Sequence, residues 1–107
     1  MKGETLKGHL EMLLLAALET RPAHGYAVVE TLRQRSAGTF DLPEGTLYPA
    51  LHRLEGAGLV TSEWCEQSGR RRRVYQLTVK GRRSLAEKQT EWRAFTQAVN
   101  GVVGGVA

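Results

Sequence analysis

The sequence predicts an α+β fold, mainly α: three helices, a β-hairpin and a C-terminal helix, in the order α-α-α-β-β-α. Three observations predict it. Leu47, Leu51 and Leu54 recur at helical spacing in a segment that ends on Gly58 and runs directly into a β-rich stretch. Two runs with the β-branched and aromatic content of strands, residues 59–66 and 72–78, flank the turn-rich Gln67-Ser68-Gly69-Arg70-Arg71. Leu85, Trp92, Phe95, Val99 and Val102 then recur at spacings of seven, three, four and three, an apolar seam of coiled-coil type.

Residues 6–18 open the chain and are apolar on nearly every helical face: Leu10, Met12, Leu13, Leu14, Leu15, Ala16, Ala17 and Leu18. A surface helix needs only one apolar stripe, so a helix apolar all round is covered on two sides, by its own domain and by a second subunit. Leu6, Leu10 and Leu13 are therefore expected at a dimer contact. Arg21-Pro22-Ala23 breaks the helix, and His24-Gly25-Tyr26 opens a second one reaching about Gln34, with Tyr26, Val29 and Leu32 at core spacing. Ser36-Ala37-Gly38-Thr39 ends it, and Phe40 and Leu42 lead back to the core.

Pro43 and Pro49 frame the start of the third helix. Proline fits a first helical turn, where its missing N–H does no harm, so the regular part is expected to begin near Thr46 to Tyr48, with Gly58 as its C-terminal stop. The hairpin follows, with a basic tip. Thr78 is placed to cap the last helix, whose seam has no core left to cover: Leu85, Trp92, Phe95, Val99 and Val102 are assigned to a dimer contact against a partner's first and last helices. This order is that of a winged helix-turn-helix domain over residues 1–78, a C-terminal dimerisation helix over 79–103 in the same compact unit, and a flexible tail at 104–107.

Charge gives the arrangement a direction. Residues 1–69 hold six Lys and Arg against nine Asp and Glu, a net −3, whereas residues 70–107 hold nine against two, a net +7. The positive side is concentrated in Arg70 to Arg73 and in Lys80, Arg82, Arg83 and Lys88, a patch that attracts phosphate backbones. At 107 residues the chain is one small domain with modest burial, which oligomerisation would improve. No apolar run has membrane-spanning length and no secretory leader is evident, so a cytoplasmic protein is expected. Cys65 is the only cysteine, which excludes an internal disulfide and a cysteine-rich zinc site. His9, His24 and His52 are scattered over three helices with no i, i+4 pair, and no nucleophile elbow, phosphate loop or carboxylate pair occurs. Neither a metal, nor a cofactor, nor an enzyme is expected.

The run Gly45-Thr46-Leu47-Tyr48-Pro49, with Leu51, Leu54-Glu55 and Gly58-Leu59-Val60, resembles the recognition helix shared by PadR-type transcriptional regulators. Leu6-Lys7-Gly8, His24-Gly25-Tyr26 and Tyr75-Gln76-Leu77-Thr78 with Gly81 fall in the same family order, so the resemblance spans about residues 6–95. It implies a homodimeric repressor that binds an inverted repeat in double-stranded DNA. It also implies that Thr46, Tyr48 and His52 face the groove, beside Pro49, with Arg53 reaching the flank. Tyr26 matches a backbone-phosphate contact by resemblance and a buried core tyrosine by spacing. The wing arginines Arg70 and Arg71, then Arg72, sit where a hairpin tip meets the DNA backbone or minor groove, although strand alternation turns only half of them to one side.

In multidrug-responsive members of that family, a tryptophan at the place of Trp92 stacks on flat aromatic ligands in a pore between subunits. Trp92 and Phe95, opposite Thr5, His9 and Met12, would line such a pore for a small aromatic effector. The last helix is short beside that of larger members, so no roomy C-terminal sensing domain is expected. Two other readings stay open from the residues: a winged-helix protein-interaction module, or a small-molecule-binding protein without specific DNA recognition.

Overall fold

The computed structural model describes Leu6 and residues 8–104. Its elements are α1 (Leu10–Ala17), β1 (Ala23–His24), α2 (Gly25–Arg35), α3 (Glu44–Gly56), β2 (Val60–Gln67), β3 (Arg70–Leu77) and α4 (Val79–Val103). The predicted order holds, with one strand added. β1 pairs antiparallel with β3 through Ala23 opposite Tyr75 and His24 opposite Val74, giving a sheet of order β1-β3-β2. At two residues, β1 is too short to show any alternation in the sequence.

α1 is the axis of the core. Leu14, Leu15 and Leu18 are at most 1% exposed and pack with Val28, Leu47, Leu51, Leu54, Val60 and Leu85. The all-round apolar character of the segment is thus satisfied largely from inside one chain. Leu10 and Leu85, expected at a dimer contact, are corrected here: they are 5% and 1% exposed and belong to the chain's own core. α1 and α4 pack directly against each other. Leu6 and Leu13 remain half-buried.

On α2 the buried stripe is Gly25, Val28 and Leu32; of the expected Tyr26, Val29 and Leu32, Leu32 is buried, Val29 packs half-buried against the core and Tyr26 does not reach it. The register follows from the helix start, because His24 is the N-cap and its Nδ1 accepts the N–H of Ala27 at 3.2 Å. Tyr26 consequently points out and is 69% exposed, which removes its core reading.

α3 begins earlier than expected, at Glu44, with the N–H groups of Thr46 and Leu47 both bonding the Pro43 carbonyl at 2.9 and 3.0 Å. Pro49 therefore lies inside the helix and leaves the Gly45 carbonyl without its helical partner. Gly45 and Pro49 are both exposed, where water serves that carbonyl. The far end closes as a Schellman turn: Gly58, at φ +77°, and Leu59 donate to the carbonyls of Glu55 and Leu54 at 3.0 and 2.9 Å.

The hairpin turn is tighter than expected. Ser68 and Gly69, at φ +52° and +75°, form the whole connection, a two-residue turn with both residues left-handed. Arg70 and Arg71 are in consequence strand residues opposite Gln67 and Glu66, not loop residues. α4 starts where Thr78 Oγ1 accepts the N–H of Gly81 at 2.9 Å. Gly81 is required there, since an added Cβ would overlap the Leu59 carbonyl oxygen. At 25 residues the helix runs on the order of 37 Å and continues past the body of a molecule measuring 52 × 28 × 22 Å. The expectations for Thr5 and for the end of the tail, residues 105–107, lie outside the described residues.

Candidate nucleic-acid interface

Burial of Leu47, Ala50, Leu51 and Leu54 fixes how α3 is rotated about its axis. At about 100° per residue the opposite arc is then divided among the remaining side chains. Pro49 and His52 stand at its centre, both exposed. Tyr48 and Glu55, seven residues apart, share the flank toward the sheet, where both lie near the Tyr75 phenol, whose pKa burial pushes above its usual value. Thr46 and Arg53 occupy the other flank. Arg53 turns away from the wing and lines a cavity with α1 and α4.

Tyr48 has a specific seat. Its ring lies on Gly25 at the start of α2, so closely that a Cβ there would stand 2.7 Å from the Tyr48 Oη. Glycine at position 25 thus allows two helices to approach and leaves Tyr48 43% exposed, with its hydroxyl at the N-terminus of α2. Tyr26, the residue after Gly25, is exposed. On the third side, Arg72 Nη1 lies 3.4 and 3.3 Å from the two ring nitrogens of His24. Burial, and then the positive charge of Arg72, hold the His24 pKa below the usual histidine value. A neutral His24 keeps Nδ1 free to cap the helix, and the cluster presents phenols, a guanidinium and a helix N-terminus to an anion.

The wing arginines are divided between the two faces of the hairpin. Register places Val60, Ser62, Trp64 and Glu66 with Leu77, Tyr75, Arg73 and Arg71 on the face adjoining α3, and Arg70 and Arg72 on the other. Arg71, Tyr48 and His52 therefore share the side of the molecule between wing and α3, whereas Arg72 serves the α2 end. Sequence reasoning missed Trp64, which is 54% exposed with the guanidinium carbons of Arg71 and Arg73 at 5.0 and 5.5 Å from its ring centroid. The signal was present: a tryptophan in the strand facing an arginine run at alternating positions.

The second assembly is the cavity of about 770 Å³ between α1, α3 and α4. His9, Met12, Trp92 and Phe95, grouped from the sequence, do line it, together with Glu11, Arg53, Lys88 and Glu91. His9 meets Trp92 edge-on at 4.9 Å, and Trp92 and Phe95 are 6.0 Å apart between ring centroids. Lys88 Nζ pairs with Glu11 across the helices at 3.6 Å. Trp92, Phe95, Val99 and Val102 remain 39, 58, 38 and 87% exposed. Among the described residues no group of three or more His, Cys, Asp or Glu side chains is placed to hold a metal ion, and no helix is long and apolar enough to cross a membrane.

Three helices with the third presented outward, followed by a basic two-stranded wing, define a winged helix-turn-helix DNA-binding protein. The chain belongs to the transcriptional regulator PadR-like family, whose model matches residues 14–87. It is 40% identical over 82 residues to transcriptional regulator Rv3488 of Mycobacterium tuberculosis, covering 77% of this chain and 71% of that protein. Among solved structures it resembles a PadR family transcriptional regulator from Eggerthella lenta at TM-score 0.80 and 35% identity, covering 94% of this chain and 86% of the other. A PadR-like transcriptional regulator from Bacillus cereus superposes at TM-score 0.84 with 28% identity, covering 97% and 100% of the two chains. The protein is thus a DNA-binding transcriptional regulator and not an enzyme.

Proposed function

We propose that the protein is a cytoplasmic repressor that binds an inverted repeat as a homodimer and is released by a small flat aromatic effector. The observation that carries this reading is the stripe Trp92, Phe95, Val99 and Val102, which the described residues of its own chain leave 38 to 87% exposed, beside an aromatic cavity. A second copy is the economical cover, because two-fold pairing lets each stripe bury the other. Such pairing sets the two α3 helices about one turn of DNA, ~34 Å, apart on one face of the duplex. Tyr48, Pro49 and His52 then read the groove, while Tyr26, Arg70, Arg71 and Arg72 hold the backbone. Arg53, which lines the cavity, links the reading helix to the effector site, while Thr46 meets the DNA from the first turn of α3. An effector seated against Trp92 alters the spacing of the two reading heads, and affinity falls because only one spacing matches the groove repeat.

The test is a titration of the protein against the DNA upstream of its own gene, with excess random duplex, at two salt concentrations. Competitor-resistant binding at two subunits per site, weakening with salt, is expected. Binding no tighter than to random duplex would remove self-regulation at that site, and one subunit per site would remove the dimeric reading.

A further inference from the structure

A tryptophan about half in water, on a hairpin that projects from the body, contributes little through burial. Trp64 offers its ring face instead, and what occupies that face is two guanidinium groups. The contacts continue into α3. Arg73 Nε donates to Ser62 Oγ at 2.9 Å, Ser62 Oγ donates to Glu55 Oε2 at 2.7 Å, and Arg73 Nη2 lies 3.7 Å from the same carboxylate. Arg73 is thereby neutralised and tied to the last turn of α3. Arg71, one strand repeat further out, rests on Trp64 and has no carboxylate within ion-pair distance among the described residues.

A guanidinium stacked on an aromatic face keeps its in-plane N–H donors free, and these match phosphate oxygens as a fork. An arginine already held in place loses less side-chain freedom when it binds, which strengthens the contact without adding a new one. Arg70 and Arg72 have no such platform: Arg70 is exposed on the opposite face and Arg72 lies against His24. We propose that Trp64 is a positioning residue for DNA recognition, holding Arg71 on the α3 side of the wing as its principal phosphate donor, with Arg73, Ser62 and Glu55 locking that platform to the recognition helix. The proposal rests on the reading of the wing as a DNA contact.

The test uses the full chain and a random-sequence 20-base-pair duplex, with affinity measured across a series of salt concentrations. Arg71→Ala is expected to weaken binding and to lower the salt slope by about 0.9 for each wing engaged. Trp64→Leu, which fills similar space with no aromatic face, is expected to weaken binding roughly two- to five-fold per wing, and Trp64→Phe to restore most of it. In an Arg71→Ala background, Trp64→Leu should add no further loss. Arg71→Lys, which leaves the tryptophan in place, should lower affinity while keeping the slope, because charge remains and the stacked fork does not. An unchanged slope in Arg71→Ala overturns the wing contact itself. A lowered slope there, with Phe and Leu at position 64 equally weak, or with Leu costing the same in both backgrounds, or with Arg71→Lys binding like the parent, leaves the wing contact standing and overturns the platform.

Discussion

The two halves of α4 carry one apolar repeat in different surroundings. Leu85, near its start, is 1% exposed and sits in the core, whereas Phe95 and Val102, further along the same seam, are 58 and 87% exposed. Spacing identifies a stripe; it does not say what covers the stripe. Tertiary packing supplies most of a helix's stability in a folded protein, so a helix that outruns its body needs a cover from elsewhere. The first half of α4 belongs to the fold and the second half is available for assembly.

Substitutions in the two halves should separate along that line. Leu85→Ala leaves a hole in the buried core cluster and should lower unfolding free energy by about 2–5 kcal/mol, read by urea denaturation. A loss below about 1 kcal/mol would mean that α4 does not seal the core. Trp92→Ala should instead leave the fold and loosen the dimer, raising its dissociation constant on the order of ten-fold or more, equivalent to at least about 1.4 kcal/mol. Sedimentation showing an intact dimer at low concentration would remove the second half of α4 from the interface.

The same contrast explains what the sequence revealed. The element order, the Thr78 cap and the glycine stop at Gly58 were legible because each depends on a few neighbouring residues. Leu10 and Leu85 were assigned to a partner because periodicity cannot tell a stripe that meets its own chain from one that does not. The start of α3 was misplaced because a helix tolerates Pro49 wherever the orphaned carbonyl faces water. Tyr26 was ambiguous until the His24 cap set the register of α2. Of the candidate site, Tyr48, Pro49 and His52 do share one outward surface. The turning of Arg53 toward the cavity, the seat of Tyr48 on Gly25 and the pairing of Trp64 with the arginines depend on contacts distant in sequence.

A smaller effect distinguishes the two flanks of α3. Tyr48, on the wing flank, should matter to sequence reading, so Tyr48→Ala should weaken operator binding by about 1–3 kcal/mol and random-duplex binding by less. Gly25→Ala, which pushes the tyrosine off its seat, should reproduce part of that loss while Tyr48 itself is still present. Equal losses on operator and random DNA for Tyr48→Ala would show that this flank holds the backbone and does not read the site.

The smallest expected effect lies where α2 meets the sheet. The His24 pKa is lowered from 6.5 by burial and then by Arg72, and the neutral Nδ1 caps α2. Above about pH 6.5 the side chain is neutral whether folded or unfolded, and its contribution is fully present. As pH falls below that value the unfolded chain takes up the proton first, so the contribution declines until the lowered folded pKa has been passed. His24→Asn keeps an N-cap acceptor without a titrating ring, so it should leave stability at pH 7.5 nearly unchanged and flatten the fall that sets in below about pH 6.5. His9 and His52 are retained in that variant, so the difference between the two stability profiles isolates position 24. Superimposable profiles would show that the α2 cap carries no proton linkage, and that the wing touches α2 through Arg72 without conferring sensitivity to pH.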